Sequence, residues 1–292
     1  MRQEETAQPD FAFLALARDC AGTIPRFLEL LETLRHSGSR ITAFVGENGS
    51  RDGTRALLQR AEARGEIAVV PTDFMAGEPD RLRRMALGRE RLKSELECSG
   101  ISPRFVCVLD IDNVIAAPPA VTALLGAAEK LDRPGIFGVS ATSRPHYYDL
   151  LAFEDGQRSF VTLLDDLATS RTGIVRYYRF FCSRIYPDQR ALTSDHEIRC
   201  ASTFNGLCLY RADSYRLGSY LQAGPALCEH LVFNRRLAAL TGETMLIDPD
   251  LVLRTPVDHA AQSFLPFAWR RLRKLLALPF PRRIQRPNLF AK

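Results

Sequence analysis

From Phe11 to Val70 the chain alternates short apolar runs with amphipathic segments, and that alternation leaves few folds open. FAFLALA (11–17), ITAFVG (41–46) and IAVV (67–70) are continuous apolar runs of strand length, as expected of strands covered on both faces. Between the first two, Ile24, Phe27, Leu28, Leu31 and Leu34 recur at helical spacing after Thr23 and Pro25 and before Gly38. A second helix is predicted from about Thr54 to Arg64, stopped by Gly65. Strands separated by helices are joined by right-handed crossovers, which predicts an α/β fold with a mostly parallel sheet flanked by helices.

A further run, FVCVLDIDNV (105–114), ends in two carboxylates. Asp110 and Asp112 flank Ile111, so extended backbone sends both to one side, at the carboxyl end of a strand, where open α/β sheets hold ligands. Two readings are open. The pair offers hard oxygen ligands to Mg²⁺ or Mn²⁺, since like charges this close repel unless a cation lies between them. Alternatively it is a strand end turning into solvent, where Asp and Asn are common.

Other polar residues sit at comparable places. Arg18 and Asp19 follow the first strand, and Glu47 and Asn48 follow the second, at the head of ENGSRDGT. Gly49 and Gly53 let that loop turn tightly, and Ser50 or Asp52 can cap the next helix. The loop suits a base or ribose, or is simply a well-capped turn; no GxGxxG precedes it, so a nicotinamide cofactor is not supported. Asp80 to Glu97 reads as a basic-rich helix whose Arg83 or Arg84 can reach a diphosphate. PPAVTALLGAAEKL reads as a helix and GIFGVS as a strand.

From Ser143 to Thr203 the periodicity weakens. Gln157 to Ala168 is predicted helical, and the aromatic stretch from Arg171 to Ser202 reads as a mobile acceptor loop or a buried aromatic cluster. FNGLCLY (204–210) reads as a strand with Asn205 and Gly206 near its start. Glu229 opens a helix with Leu231, Phe233, Leu237 and Leu240 broadly inward, and MLIDPDLVL closes the core as a strand. Asp258 and His259 follow, His259 being a surface residue or a third metal ligand.

The charge is unevenly spread. The chain carries +5 overall, yet Arg270 to Lys292 holds eight basic residues and no acidic one, leaving −3 for residues 1–269. A mildly acidic body argues against nucleic acid as a partner. In the tail, Phe264, Phe267, Ala268, Leu272, Leu275 and Leu276 can share one helical side, with Arg270, Arg271, Arg273 and Lys274 over the rest. This is the make-up of an amphipathic helix at an anionic membrane surface, or of one that packs back on the domain. The first ten residues lack the apolar core of a secretory signal, and the expected location is the cytoplasm, possible attachment being peripheral. Seven cysteines without a CxxC pair predict neither a disulfide framework nor a zinc site.

In order, the strand before Arg18 and Asp19, the ENGSRDGT turn and the DID strand end resemble the nucleotide-sugar half of GT-A glycosyltransferases. HYYDLLAFEDG, Asn205-Gly206, the Cys228-Glu229 helix start and IDPDLVL extend the resemblance to the fungal capsule-associated α-mannosyltransferases and, more distantly, to the mannan-polymerase mannosyltransferases. The resemblance implies a GT-A domain over 11–260, after a flexible 1–10, with a nucleotide-sugar half (11–140), an acceptor half (141–260) and a basic tail (261–292). It implies a metal-dependent transfer of a mannose-like hexose, with retention, from GDP-mannose or a UDP-hexose to a glycan or lipid-linked acceptor. Asp110 and Asp112 would hold Mn²⁺ or Mg²⁺, with His259 as a further ligand. Arg18, Asp19, Glu47, Asn48, Arg83, Asp110, Ile111, Asn205 and Gly206 would bind the donor. Asp149, with Glu154 or Asp155, would form an acidic patch near the sugar, and Glu229 would face it as an orienting group. The same DxDxV strand also fits a haloacid-dehalogenase-type phosphatase with Asp110 as nucleophile. A membrane-binding protein without catalysis is the remaining alternative.

Overall fold

The computed structural model describes residues 10–256 and 259–276. The elements run β1 (Asp10–Ala17), α1 (Ile24–His36), β2 (Arg40–Glu47), α2 (Thr54–Ala63), β3 (Ala68–Pro71), α3 (Arg81–Cys98), β4 (Phe105–Asp110), α4 (Val121–Lys130), β5 (Ile136–Arg144), α5 (Leu163–Ser170), α6 (Ile174–Phe180), α7 (Tyr186–Ala191), β6 (Ile198–Cys200), β7 (Leu207–Arg211), α8 (Ala212–Leu217), α9 (Glu229–Thr241), β8 (Thr244–Arg254) and α10 (Phe264–Leu276).

All eight strands form one sheet, in the order β3-β2-β1-β4-β7-β5-β8-β6. β1 to β4 are mutually parallel, β5 is parallel to β8, and β7 and β6 run antiparallel to their neighbours. The fold is therefore the expected α/β class with helices flanking the sheet. The division at residue 140 falls inside β5.

The continuous apolar runs are explained by two cores, one on each face. In β1, Phe11, Phe13, Ala15 and Ala17 enter one core while Ala12 and Leu14 enter the other; in β4, Phe105, Cys107 and Leu109 separate likewise from Val106 and Val108. Period-2 alternation sends successive residues to opposite faces, and both faces are dry. Burial of each large side chain contributes about 1.5–3 kcal/mol. On the second face α3 lies close to the sheet, because a Cβ on Gly88 would stand 2.9 Å from Leu16 and 2.6 Å from Met75.

Four expectations are corrected. The segment 157–168 becomes helical only at Leu163, after a bridge that pairs Glu154 with Ser159 and Ser202. The aromatic stretch after Arg171 is largely α6, a π turn over Phe181–Ile185, and α7. β7 begins at Leu207, not Phe204, since Asn205 and Gly206 have φ of 51° and 87°, which a strand cannot accommodate. Leu240 is 59% exposed, whereas Leu231, Phe233 and Leu237 are buried.

The tail divides differently from the expected single apolar side. Phe267 is fully buried against Tyr177, Tyr178 and Phe181, and Arg271 lies over the Phe267 ring at 3.2 Å. This face packs back on α6, while Leu265, Trp269 and Leu272 point out. Residues 1–9, Asp258 and 277–292 lie outside the described residues, as do the side chains of Lys274, Leu275 and Leu276.

Candidate active site

Sheet register brings the polar residues together. Asp110 pairs across from Leu16, and Glu47 from Ala17, so the carboxyl ends of β4, β1 and β2 form one edge. A cleft of about 250 Å³ opens there, between Arg18 and Asn48 on one side, Arg81 and Arg84 on another, and Asp110 and Asp112 at its end.

Two interlaced loops build its rim. The amide of Arg51 donates to Asp19 Oδ1 at 2.7 Å, that of Ala21 to Asp52 Oδ2 at 3.0 Å, and that of Cys20 to Thr54 Oγ1 at 2.8 Å. Asp52 Oδ1 also accepts from the Thr54 amide at 2.9 Å, forming a turn just ahead of α2. Asp19 thus serves the rim, as does Glu47, which is buried with Oε1 accepting from the Ser50 amide at 2.7 Å and Oε2 from Arg55 Nε at 2.7 Å. Burial alone would raise the Glu47 carboxyl, but the Ser50 and Arg55 bonds outweigh it and hold it below the usual range. Both oxygens that the sequence assigns to a nucleoside are engaged within the loop; Asn48 and exposed Arg18 face the cleft.

At the end of β4 the two aspartates differ. Asp110 projects toward α3, where the guanidinium of Arg89 donates to its Oδ1. Arg89 is 1% exposed and its side chain also reaches the Leu109 carbonyl at 3.4 Å. Asp112 is exposed and caps the short 3₁₀ turn Asn113–Ala116 by accepting from the Val114 amide at 3.1 Å. Ile111 is buried between them, its carbonyl accepting from Thr23 Oγ1 at 2.5 Å.

Asp149 and Glu229 join this pair. The side chain of Asn205 fixes the approach: Oδ1 accepts from the amides of Tyr148 at 3.1 Å and Asp149 at 3.3 Å, while Nδ2 donates to the Ala141 carbonyl at 3.3 Å. The Gly206 carbonyl accepts from the Asp110 amide at 2.9 Å. Burial, and then the charges of Asp112 and Glu229, push Asp110 up to about 6 against the pull of Arg89. Burial, with Asp110 and Glu229, pushes Asp149 up to about 7. Glu229, buried at the start of α9, is raised by desolvation while Arg89 and Arg81 oppose it.

Four carboxyls therefore crowd together near Arg89 and Arg81, and the raised Asp110, Asp149 and Glu229 reflect burial and their mutual repulsion. Among the described residues no group of three or more His, Cys, Asp or Glu side chains forms a ready-made metal cage. The donor set fits an ion such as Mg²⁺ or Mn²⁺, which takes one or two carboxylates and completes its shell with water and substrate phosphates. The His259 ring packs 5.3 Å from that of Tyr148, and among the described residues it forms no three-residue site with Asp110 and Asp112.

Other assigned residues are also placed elsewhere. Arg83 donates to the Gly224 carbonyl at 3.1 Å, away from the cleft that Arg81 and Arg84 line. Glu154 is paired with Arg235 at 2.6 Å and Asp155 with Arg158 at 2.7 Å, so neither joins the acidic patch. Asn205 is fully buried and positions the backbone at Tyr148, Asp149 and Ala141. Sequence reading missed Arg89; the signal was a basic residue in register with Met85, Leu92 and Leu96 on one side of a helix.

No family model matches the chain, and no curated protein matches it. Among solved structures, the mannosyltransferase PcManGT from Pyrobaculum calidifontis, in complex with GDP-Man and Mn²⁺, is 17% identical with a TM-score of 0.48, over 93% of this chain and 63% of that one. Glucosyl-3-phosphoglycerate synthase from Mycobacterium tuberculosis, in complex with phosphoglyceric acid, is 16% identical with a TM-score of 0.43, over 92% and 79%. Mannosyl-3-phosphoglycerate synthase from Rubrobacter xylanophilus is 16% identical with a TM-score of 0.43, over 97% and 79%. This chain thus spans under two thirds of the length of the first.

Proposed function

We propose that the protein is a glycosyltransferase that moves a hexosyl group from a nucleoside-diphosphate sugar to an acceptor hydroxyl. The observation that carries this reading is the pair Asp110 and Asp112, backed by the acids Asp149 and Glu229, at a cleft that Arg18, Arg81 and Arg84 also line. An acidic end alone would repel a diphosphate and a basic wall alone would not need a metal. Together they suit a diphosphate bound with a divalent cation, arginine forks taking phosphate oxygens and carboxylates taking the ion. Asp110 and Asp112 would hold the cation, which when bound would supply Lewis-acid relief of charge on the leaving diphosphate.

Arg89 holds one Asp110 oxygen and leaves the other for the ion. Glu229, buried beside Arg89, orients groups around the reacting sugar and does not serve as an exposed base. A mannose-like hexose, retention of configuration and a glycan or lipid-linked acceptor follow from the family resemblance, with GDP-mannose and UDP-hexoses as the donors to test. The phosphatase reading is weakened because a buried arginine engages the carboxylate that would be its nucleophile.

A thermal-shift panel of GDP- and UDP-sugars with and without Mn²⁺ tests the assignment. A ligand at about 100 times its dissociation constant stabilises by about 2.7 kcal/mol; the absence of any Mn²⁺-dependent shift would sink it.

The outer face of α10 supports peripheral attachment to an anionic membrane. Leu265, Trp269 and Leu272, at 77%, 61% and 46% exposure, make an outward apolar stripe at i, i+4 and i+7, bordered by Arg270 and Arg273, with no acidic residue in the helix. Its inward face is already docked through Phe267. No described helix is long and apolar enough to cross a membrane. Co-sedimentation with phosphatidylserine vesicles tests this, and binding equal to that on neutral vesicles would refute it.

A further inference from the structure

We infer that the hydroxyl of Tyr148 is a hydrogen-bond donor to an oxygen of the bound nucleotide sugar, an inference that rests on the donor reading above. The fully buried tyrosines show what this chain does with a phenol, and Tyr148, half-buried as a residue, departs from them. Tyr147 pairs with Thr203 Oγ1 at 2.8 Å, Tyr210 donates to Asn234 Oδ1 at 2.9 Å, and Tyr215 and Tyr220 bond each other at 3.2 Å. The Tyr148 hydroxyl is buried and has no partner.

The surrounding residues fix where that hydroxyl stands. Asn205 Oδ1 accepts from the Tyr148 amide, and the ring is flanked by His259, centroids 5.3 Å apart. At Gly206 a Cβ would come 2.5 Å from Tyr148 Oη and 2.6 Å from Val114 Cγ1, so the glycine leaves room for the phenol beside the strand that carries Asp110. The charges of Asp110, Asp149 and Asp112 act on the group, after burial itself, and keep it protonated. The result is a donor held ready among carboxylates with which it makes no bond.

A buried donor left unpaired is unfavourable, and pairing with a ligand removes that cost at the moment of binding. A diphosphate oxygen and a sugar hydroxyl oxygen are both acceptors of the required kind.

The test is Tyr148→Phe in the full chain, followed by melting and by calorimetry with Mn²⁺ and GDP, UDP, GDP-mannose or UDP-glucose. The metal-free variant is expected to melt at or above the wild type, because only an unpaired hydroxyl is lost. Affinity should fall about tenfold, the worth of one hydrogen bond to a polar ligand. A loss already seen with the nucleoside diphosphate places the acceptor on the diphosphate; a loss confined to the nucleotide sugar places it on the sugar. Unchanged affinity, or a lower melting temperature with an unchanged ligand-induced shift, would overturn the inference. If the wild type itself bound none of the four, the donor reading would fall as well, whereas binding that Tyr148→Phe leaves intact removes this inference alone.

Discussion

Arg89 donates to Asp110 from beneath the cleft, a guanidinium 1% exposed against a carboxylate 29% exposed. The same arginine acts electrostatically on Glu229, so one buried cation serves two of the four acids. Breaking a buried pair by removing one partner leaves an uncompensated charge, which typically costs about 3–5 kcal/mol. Arg89→Met should therefore lower stability by at least about 2 kcal/mol near neutral pH, the lower figure allowing for the part of Asp110 that water reaches. Urea unfolding measures it. The loss should shrink in acid, as Asp110 and Glu229 become neutral and no longer need the arginine.

Stability of the metal-free protein should fall as pH rises. Asp110 and Asp149 ionise near 6 and 7 in the folded chain, well above an unfolded aspartate at about 3.9. Between those limits the folded state holds more protons than the unfolded one, so their contribution is full below about pH 4 and is lost as pH passes through about 7. Carboxyls held low, such as Glu47 and Glu154, act in the opposite sense at more acid pH, and His230 and His146, which burial holds below the usual imidazole range, oppose the decline below about pH 6.5. Melting in chelator from about pH 6.5 to 8, above the range where the histidines oppose it, should show the decline, and Mn²⁺ should reduce it by favouring the ionised acids. A flat profile in chelator would contradict the crowded cluster.

What sequence showed and did not show divides by range. The strands of the first half were legible because each is dry on both faces, and the aspartates because they end such a strand. Asn205 and Gly206 stood out too, yet their role did not: left-handed backbone and a carboxamide bonded to two amides from residues 148 and 149 appear only once β5 and β7 are paired. Arg89 was hidden in an arginine-rich helix where burial, not composition, singles one residue out. Tyr148 carried no sequence signal, since an unpaired hydroxyl is defined by what surrounds it.

Trp269 offers a clean probe of the α10 surface. It is 61% exposed while Phe267 anchors the helix, so Trp269→Glu should change stability by no more than about 0.5 kcal/mol. It removes the central apolar contact and adds a charge of the wrong sign for an anionic leaflet. Release from phosphatidylserine vesicles should be most complete at high ionic strength, where the remaining arginines are screened. Retention equal to wild type at every salt concentration would show that this face does not hold the membrane.

Asp112→Asn separates metal binding from folding. An asparagine oxygen can still accept from the Val114 amide as Asp112 Oδ1 does at 3.1 Å, so the turn after β4 keeps its cap. The substitution also removes a charge that raises Asp110, and the metal-free variant should melt no lower than the wild type. Mn²⁺ would lose one of its two proposed carboxylates, so affinity for the ion should drop at least about tenfold. Nucleotide-sugar binding should lose its Mn²⁺ dependence with it. Calorimetric titration of Mn²⁺ alone reads the first effect and titration of the donor with and without Mn²⁺ the second. Mn²⁺ affinity that survived the substitution would move the ion away from the end of β4, and with it the diphosphate.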